Sequence, residues 1–263
     1  MIYVDNKPLD TASLINEYNE GSIERVIIKK MVSGEARHAY DTLEELKFEL
    51  LMRREIVRAA KELYRSGFAF EVFRDSRANP DYWIRHNNGG FELKRGAKPS
   101  AAIRDIFTNG TEYGTECATA IPIIYYKALL EIFPVSEFDR LFKNIYLMNW
   151  HNLARELRGS GTMQRVNDHL PGDRRYFANP DVDPKTPEWQ GENVIDLGDG
   201  RYYGHGIGIQ RAEKIIGALN GNRRRGADRE AYLMDSAGQP DFKNLTKLYQ
   251  RAVSTVSDSR QPA

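Results

Sequence analysis

Cys117 is the only cysteine in 263 residues, so no internal disulfide can brace the chain and no cysteine pair is spaced to hold zinc. Stability must come from packing, and with 41% hydrophobic residues a chain of this length can bury a real core. The charges nearly cancel, 38 basic against 37 acidic side chains, so no global field selects nucleic acid, an anionic membrane or a polyanionic substrate. Nowhere do about 18 apolar residues run consecutively, and the N-terminus lacks the basic flank and apolar run of a secretory signal. These features predict a soluble cytoplasmic protein.

Apolar spacing predicts the elements. Residues 1–40 mix short apolar stretches with turn formers and yield no assignment. From Asp41 onward, Thr42 and Glu45 fit a capping box, and Leu43, Leu46, Leu50, Val57 and Tyr64 keep helical spacing until Gly67. Residues 68–73 alternate like a strand, 82–94 read as a hairpin turning at Asn87-Asn-Gly-Gly90, and Ser100 is placed to cap a short helix ending near Asn109-Gly110. Over 117–133, Ile121, Ile124, Tyr125, Ala128, Leu129 and Ile132 form one helix face, with Pro122 tolerated near its start. Residues 145–150 read as a buried strand and 152–188 as a long polar loop. A hairpin over 193–206 turns at Asp199-Gly200, and helices are predicted over 210–219, 228–234 and 241–253, before a frayed tail from 254 to 263. Helices around antiparallel hairpins, without internal repeats, predict an α+β fold in one domain over 1–253.

Cys117 therefore stands at a helix start. A lone cysteine on an apolar helix is ordinarily a core residue. At a helix N-terminus, however, the macrodipole favours the thiolate, and the turn at Gly114-Thr-Glu could leave N–H groups free for an oxyanion. A partner is needed among His38, His86, His151, His169 and His205, of which only His205, in Tyr202-Tyr-Gly-His-Gly-Ile-Gly208, has glycines permitting close approach. A two-residue turn at Asp199-Gly200 would pair Val194 with His205 and put Glu192 on the same face; a three-residue turn would put them on opposite faces. Other patterns are weak. Gly204-His-Gly-Ile-Gly208 lacks dinucleotide-loop spacing, Asp181-Val-Asp183 lacks the glycine of a calcium loop, and Arg223-Arg-Arg225 reads as a solvated helix boundary.

Several motifs in one order carry a resemblance: Ala102-Ile-Arg-Asp-Ile106, Glu116-Cys-Ala-Thr-Ala120, Ile123-Ile-Tyr-Tyr126, Phe177-Ala-Asn-Pro180, Trp189-Gln-Gly-Glu-Asn-Val-Ile195 and Gly204-His-Gly-Ile-Gly208. Over about residues 41–233 the chain resembles the spore-coat transglutaminases of Bacillus-type bacteria. Residues 153–174 match poorly, and the C-terminal tail has no evident counterpart.

The resemblance implies calcium-independent protein-glutamine γ-glutamyl transfer on a core related to papain-like cysteine peptidases and cell-wall amidases. It implies Cys117 as nucleophile, Glu192 as its partner, Glu116 as a partly redundant carboxylate and His205 as an accessory residue near the pair. Glutamine and lysine side chains of spore coat proteins would be the substrates, in the mother-cell cytoplasm and then on the coat, with no cofactor and the enzyme a monomer. Because water competes for a thioester, a water-poor passage is expected. Trp150, Trp189, Tyr176 and Phe70 are candidates for its walls and Asn193 for a substrate contact. Residues 1–40 are the candidate for a segment covering the cysteine.

Overall fold

The computed structural model describes residues 1–149, 153, 154, 157 and 162–258. In chain order they form β1 (Ile2–Val4), β2 (Lys7–Pro8), α1 (Thr11–Asn16), α2 (Ile23–Ser33), β3 (His38–Tyr40), α3 (Leu43–Arg65), β4 (Ala69–Phe70), β5 (Trp83–Arg85), β6 (Phe91–Leu93), α4 (Pro99–Thr108), β7 (Gly114–Thr115), α5 (Cys117–Ile132), α6 (Val135–Leu141), β8 (Tyr146–Leu147), β9 (Arg174–Ala178), β10 (Gly191–Asp196), β11 (Arg201–Gly204), β12 (Gly208–Arg211), α7 (Ala212–Asn220), β13 (Tyr232–Leu233) and α8 (Phe242–Asp258).

The long helix starts and stops where its sequence signals stand. Thr42 Oγ1 accepts from the Glu45 N–H at 3.2 Å, Glu45 Oε2 accepts from the Asp41 N–H at 2.9 Å, and Gly67 follows the helix with φ +81°. α3 has two apolar stripes. Leu46 and Leu50 pack with Ile2, Ile27, Ile28 and Met31, which makes residues 1–40 a small unit of helices and strands. Phe48, Met52, Ile56, Ala60 and Leu63 pack instead into the main core with α5. Tyr64, expected on the core face, is 54% exposed and meets Tyr203 edge to face.

α5 is buried from Ala118 to Leu130 on every side, not on one face as predicted. A helix apolar all round belongs in the interior. Against it lies an antiparallel sheet in the order β12-β11-β10-β9-β13. Ile195, Leu197 and Tyr203 of this sheet join the core of α3 and α5, whereas Phe177 and Val194 pack against Ile215 and Leu219 of α7. The fold is thus helix, sheet and helix in layers, a mixed α and β architecture.

Several expectations are corrected. The polar loop over 152–188 contains β9, which lies between β10 and β13. The helix over 228–234 is instead the short edge strand β13. Only Ala69 and Phe70 of 68–73 are strand, paired in parallel with Gly114 and Thr115. Ser100 lies inside α4, and the cap comes from Asp139 of α6, which accepts from the Ser100 N–H at 2.7 Å and from its hydroxyl at 3.0 Å. α8 runs to Asp258, into the segment expected to fray.

Arg53 ties the layers together. It is 1% exposed, donates from Nε to Glu49 at 2.7 Å and from Nη1 to Asp173 at 2.8 Å and the Pro171 carbonyl at 2.9 Å, and lies over the Phe242 ring. Replacing Arg53 by Met strands two buried carboxylates, so urea unfolding at neutral pH is expected to show a loss of about 3–5 kcal/mol. A loss no larger than that of an exposed ion pair, about 1 kcal/mol or less, would refute the anchoring role.

Candidate functional site

The route into α5 is built for close approach. A Cβ on Gly114 would lie 2.4 Å from Glu71 Cγ and 2.9 Å from Arg77 Nη1, so glycine lets these two side chains close over β7 where it turns toward the helix. Glu116 is the N-cap: its carboxylate accepts from the Ala118 N–H at 2.5 Å, the Thr119 N–H at 2.8 Å and the Thr119 hydroxyl. Both of its oxygens are thereby engaged, which gives Glu116 a capping job rather than that of a free second base. The same bonds consume helix N–H groups expected to be free for an oxyanion. The Cys117 N–H, at the first helical position, has no acceptor within the helix.

Cys117 opens into a cleft of about 610 Å³. Burial pushes its thiol up, and the charges of Glu192 and Glu116 push the same way, against the opposing pull of Asn193. The net lowering expected from the helix start is therefore overturned by desolvation and two carboxylates. Glu192, 5% exposed, is itself raised above the ordinary carboxylate range by burial, while the Cys117 thiol and the His205 backbone N–H favour its ionised form. Among the described residues Glu192 Oε1 has no hydrogen-bond partner. The fold thus brings the Cys117 thiol and the Glu192 carboxyl together as two adjacent acids, each setting the other's ionisation.

The strand register decides what else faces them. Val194 pairs with Gly204 and Ile195 with Tyr203, and the Leu197 N–H reaches the Arg201 carbonyl, so the hairpin loop has three residues, 198–200. Glu192 consequently shares a face with Gly204 and not with His205. Glycine leaves room there for the carboxyl, since a Cβ on Gly204 would come within 2.8 Å of Glu192 Oε1. The His205 ring turns elsewhere. It stacks on Phe68 at 4.7 Å, its Nδ1 accepts from the Tyr203 hydroxyl at 3.0 Å, and its Nε2 donates to the Ala69 carbonyl at 2.9 Å. Burial lowers its pKa to about 4, so the imidazole is neutral and clamps β11 to β4. The expected accessory side chain is instead structural, and His205 meets Glu192 only through its backbone.

Three of the five candidate wall and contact residues line the cleft: Phe70, Tyr176 and Asn193. The Tyr176 phenol is pushed up to about 12, first by burial and then by the charges of Cys117 and Glu192. Asn193 donates from Nδ2 to Cys117 Sγ at 3.7 Å. Trp189 does not line the cleft and packs beside the cluster of Phe177, Val194 and Ile215, although Pro187, Glu188 and Gln190 around it do. Trp150 lies outside the described residues. None of residues 1–40 is among those lining the cleft, so the described structure places no cover there from that segment. Asp181, of the discarded calcium pattern, is held by Arg229 at 2.7 Å. Arg174, whose charge lay in a segment read as a loop, is buried and lines the cleft, and no spacing rule marks it.

Comparison with known proteins adds independent findings. A family model described as protein-glutamine gamma-glutamyltransferase matches residues 1–249. A protein-glutamine gamma-glutamyltransferase of Bacillus cereus strain B4264 is 42% identical over 250 residues, covering 95% of this chain and 87% of the relative. One from Bacillus anthracis strain CDC 684 is 42% identical over 247 residues, covering 94% and 88%. A solved structure, a transglutaminase from Geobacillus stearothermophilus without its C-terminal extension, superposes with a TM-score of 0.74 at 47% identity, covering 79% of this chain and 98% of that one.

Two expectations follow from the geometry. Gly204→Ala should push the Glu192 carboxyl away from Cys117 and so lower the midpoint of the pH profile for iodoacetamide alkylation of the thiol; an unchanged midpoint would mean that the carboxyl has not moved. His205 has a folded pKa of about 4 against an ordinary 6.5, so it stabilises the fold fully above pH 6.5 and loses that contribution as pH falls toward 4. Chemical denaturation across this window should show wild type losing up to about 3 kcal/mol from this group, a slope that His205→Gln removes.

Proposed function

This chain belongs to the protein-glutamine gamma-glutamyltransferase family, and on that premise we propose that Cys117 is its nucleophile and Glu192 the carboxyl that exchanges protons with it. The observation that carries the reading is the pairing itself: one thiol at a helix start that lines a cleft, and one buried carboxyl hydrogen-bonded behind it and raised by burial. Raising a carboxyl toward the thiol makes it a better base for the S–H proton. Transfer of that proton to Glu192 leaves a thiolate whose sulfur attacks the side-chain amide carbon of a protein glutamine.

The attack forms the C–S bond and places negative charge on the amide oxygen, where the Cys117 N–H and the Asn193 amide are the donors at hand. The C–N bond then breaks, Glu192 returns its proton, and ammonia leaves a γ-glutamyl thioester. A lysine ε-amine of a second chain attacks the thioester carbonyl, gives its proton to Glu192 and expels the sulfur. The product is an isopeptide bond, and the two half-reactions predict ping-pong kinetics. Phe70 and Tyr176 flank the thioester and limit the water that would compete with the amine.

The finer setting is part of the same proposal. Every step is proton transfer and acyl exchange among side chains, which supports catalysis without calcium. The order of motifs supports a core related to papain-like cysteine peptidases and a task in spore coat assembly, beginning in the mother-cell cytoplasm, with a monomer acting on coat proteins.

The test is incorporation of a labelled primary amine into a glutamine-bearing protein, with and without chelator. Cys117→Ala is expected to abolish incorporation, and Glu192→Gln to lower it by roughly a hundredfold or more. Glu116→Gln should mainly cost stability, about 1 kcal/mol, through the weakened cap. Release of ammonia without amine incorporation would identify a hydrolase, and loss of wild-type activity in chelator would overturn the calcium-independent reading.

A further inference from the structure

Asn193 faces Cys117 with an amide, and an amide has two ends of similar shape and opposite polarity. With Nδ2 toward the sulfur it donates and stabilises negative charge; flipped, Oδ1 would set a lone pair against the thiolate. Nothing in the Asn193 side chain itself chooses between these. The choice is made one strand away. Arg174, 3% exposed at the start of β9, donates from Nη1 to Asn193 Oδ1 at 2.9 Å, and that leaves Nδ2 pointing to Cys117 Sγ.

The guanidinium is well placed for this. Arg174 pairs with Ile195 in the sheet, two residues along β10 from Asn193, so its side chain reaches diagonally along the strand. Its backbone is held on the other side by reciprocal bonds with Gly238, at 3.0 and 2.9 Å. Asp173 just before it is fixed by Arg53 and by Gln239, each at 2.8 Å. A guanidinium has no acceptor, so it can bond only the oxygen end of the amide, and its charge makes the opposite N–H₂ a stronger donor.

We propose that Arg174 is a positioning residue of the acyl transfer, acting through Asn193: it locks the amide so that its N–H₂ faces the sulfur and the oxyanion formed beside it. The proposal rests on the reading of Asn193 as a donor to the reacting centre.

The experiment is a double-mutant cycle in the full chain. It follows kcat for amine incorporation, the pH profile of Cys117 alkylation, and Tm. Arg174→Met is expected to lower kcat by roughly tenfold to a hundredfold, with little change in KM for the amine, and Asn193→Ala by a similar factor. Because one acts through the other, the double variant should be no worse than Asn193→Ala within about twofold. Arg174→Gln, neutral but able to donate to Oδ1, should recover part of the activity that Arg174→Met loses.

Additive losses, or Arg174→Gln as impaired as Arg174→Met, would overturn the proposal in favour of a direct charge effect on the sulfur. Full activity in Asn193→Ala would overturn both the proposal and the donor role of Asn193, while leaving Cys117 and Glu192 as tested above. If Arg174→Met fails to fold, Arg174→Gln alone and in the Asn193→Ala background carries the same cycle.

Discussion

A cation buried where water cannot reach it must be answered by carboxylates, and Arg53 imposes that condition on two distant parts of the chain. Glu49 lies one turn earlier on α3, but Asp173 lies 120 positions downstream. Once Asp173 is fixed, β9 begins at the next residue, and its register sets Tyr176 opposite Asn193 and Phe177 opposite Glu192. The same α3 packs along α5, whose first residue is Cys117. The thiol and the carboxyl strand are therefore both referenced to one helix.

What local signals encode was legible. The start and stop of α3 rest on Thr42, Glu45 and Gly67, all within reach of one helix, and the structure uses each as its chemistry suggests. β9 was not legible, because its first residues are Arg174 and Arg175, which read as loop. Arg175 is buried by bonding the backbone carbonyls of Ser236 and Met234, partners some sixty positions away that no window of sequence contains. Ser100 failed similarly. It looked like a cap, but a carboxylate from α6 took the position.

The site was legible in its chemistry and less so in its directions. A single cysteine at a helix start and a motif-borne Glu192 pointed to two side chains that the fold sets next to each other. The sequence left open which side chains of β11 would face Glu192, since that depends on hairpin register. His205 was drawn toward the site by its glycines, yet those glycines serve other ends: Gly204 makes room for a carboxyl, and a Cβ on Gly206 would strike Phe70 at 2.8 Å. Glu116 shows the converse. A residue beside a nucleophile invites a catalytic reading, while its three bonds are those of a helix cap.

The three-residue loop at 198–200 also acts as a counter. Let the strands slip by one, so that Gly198 pairs with Arg201 and two residues span the turn, and every side chain of β11 changes sides: Gly204 leaves the face of Glu192, and an imidazole takes its place. The choice between a thiol attended by a carboxyl alone and one attended by a carboxyl and a histidine is then a matter of register set at a surface turn. In this fold, which side chain of β11 meets the carboxyl beside the thiol is written in where the pairing of two strands begins.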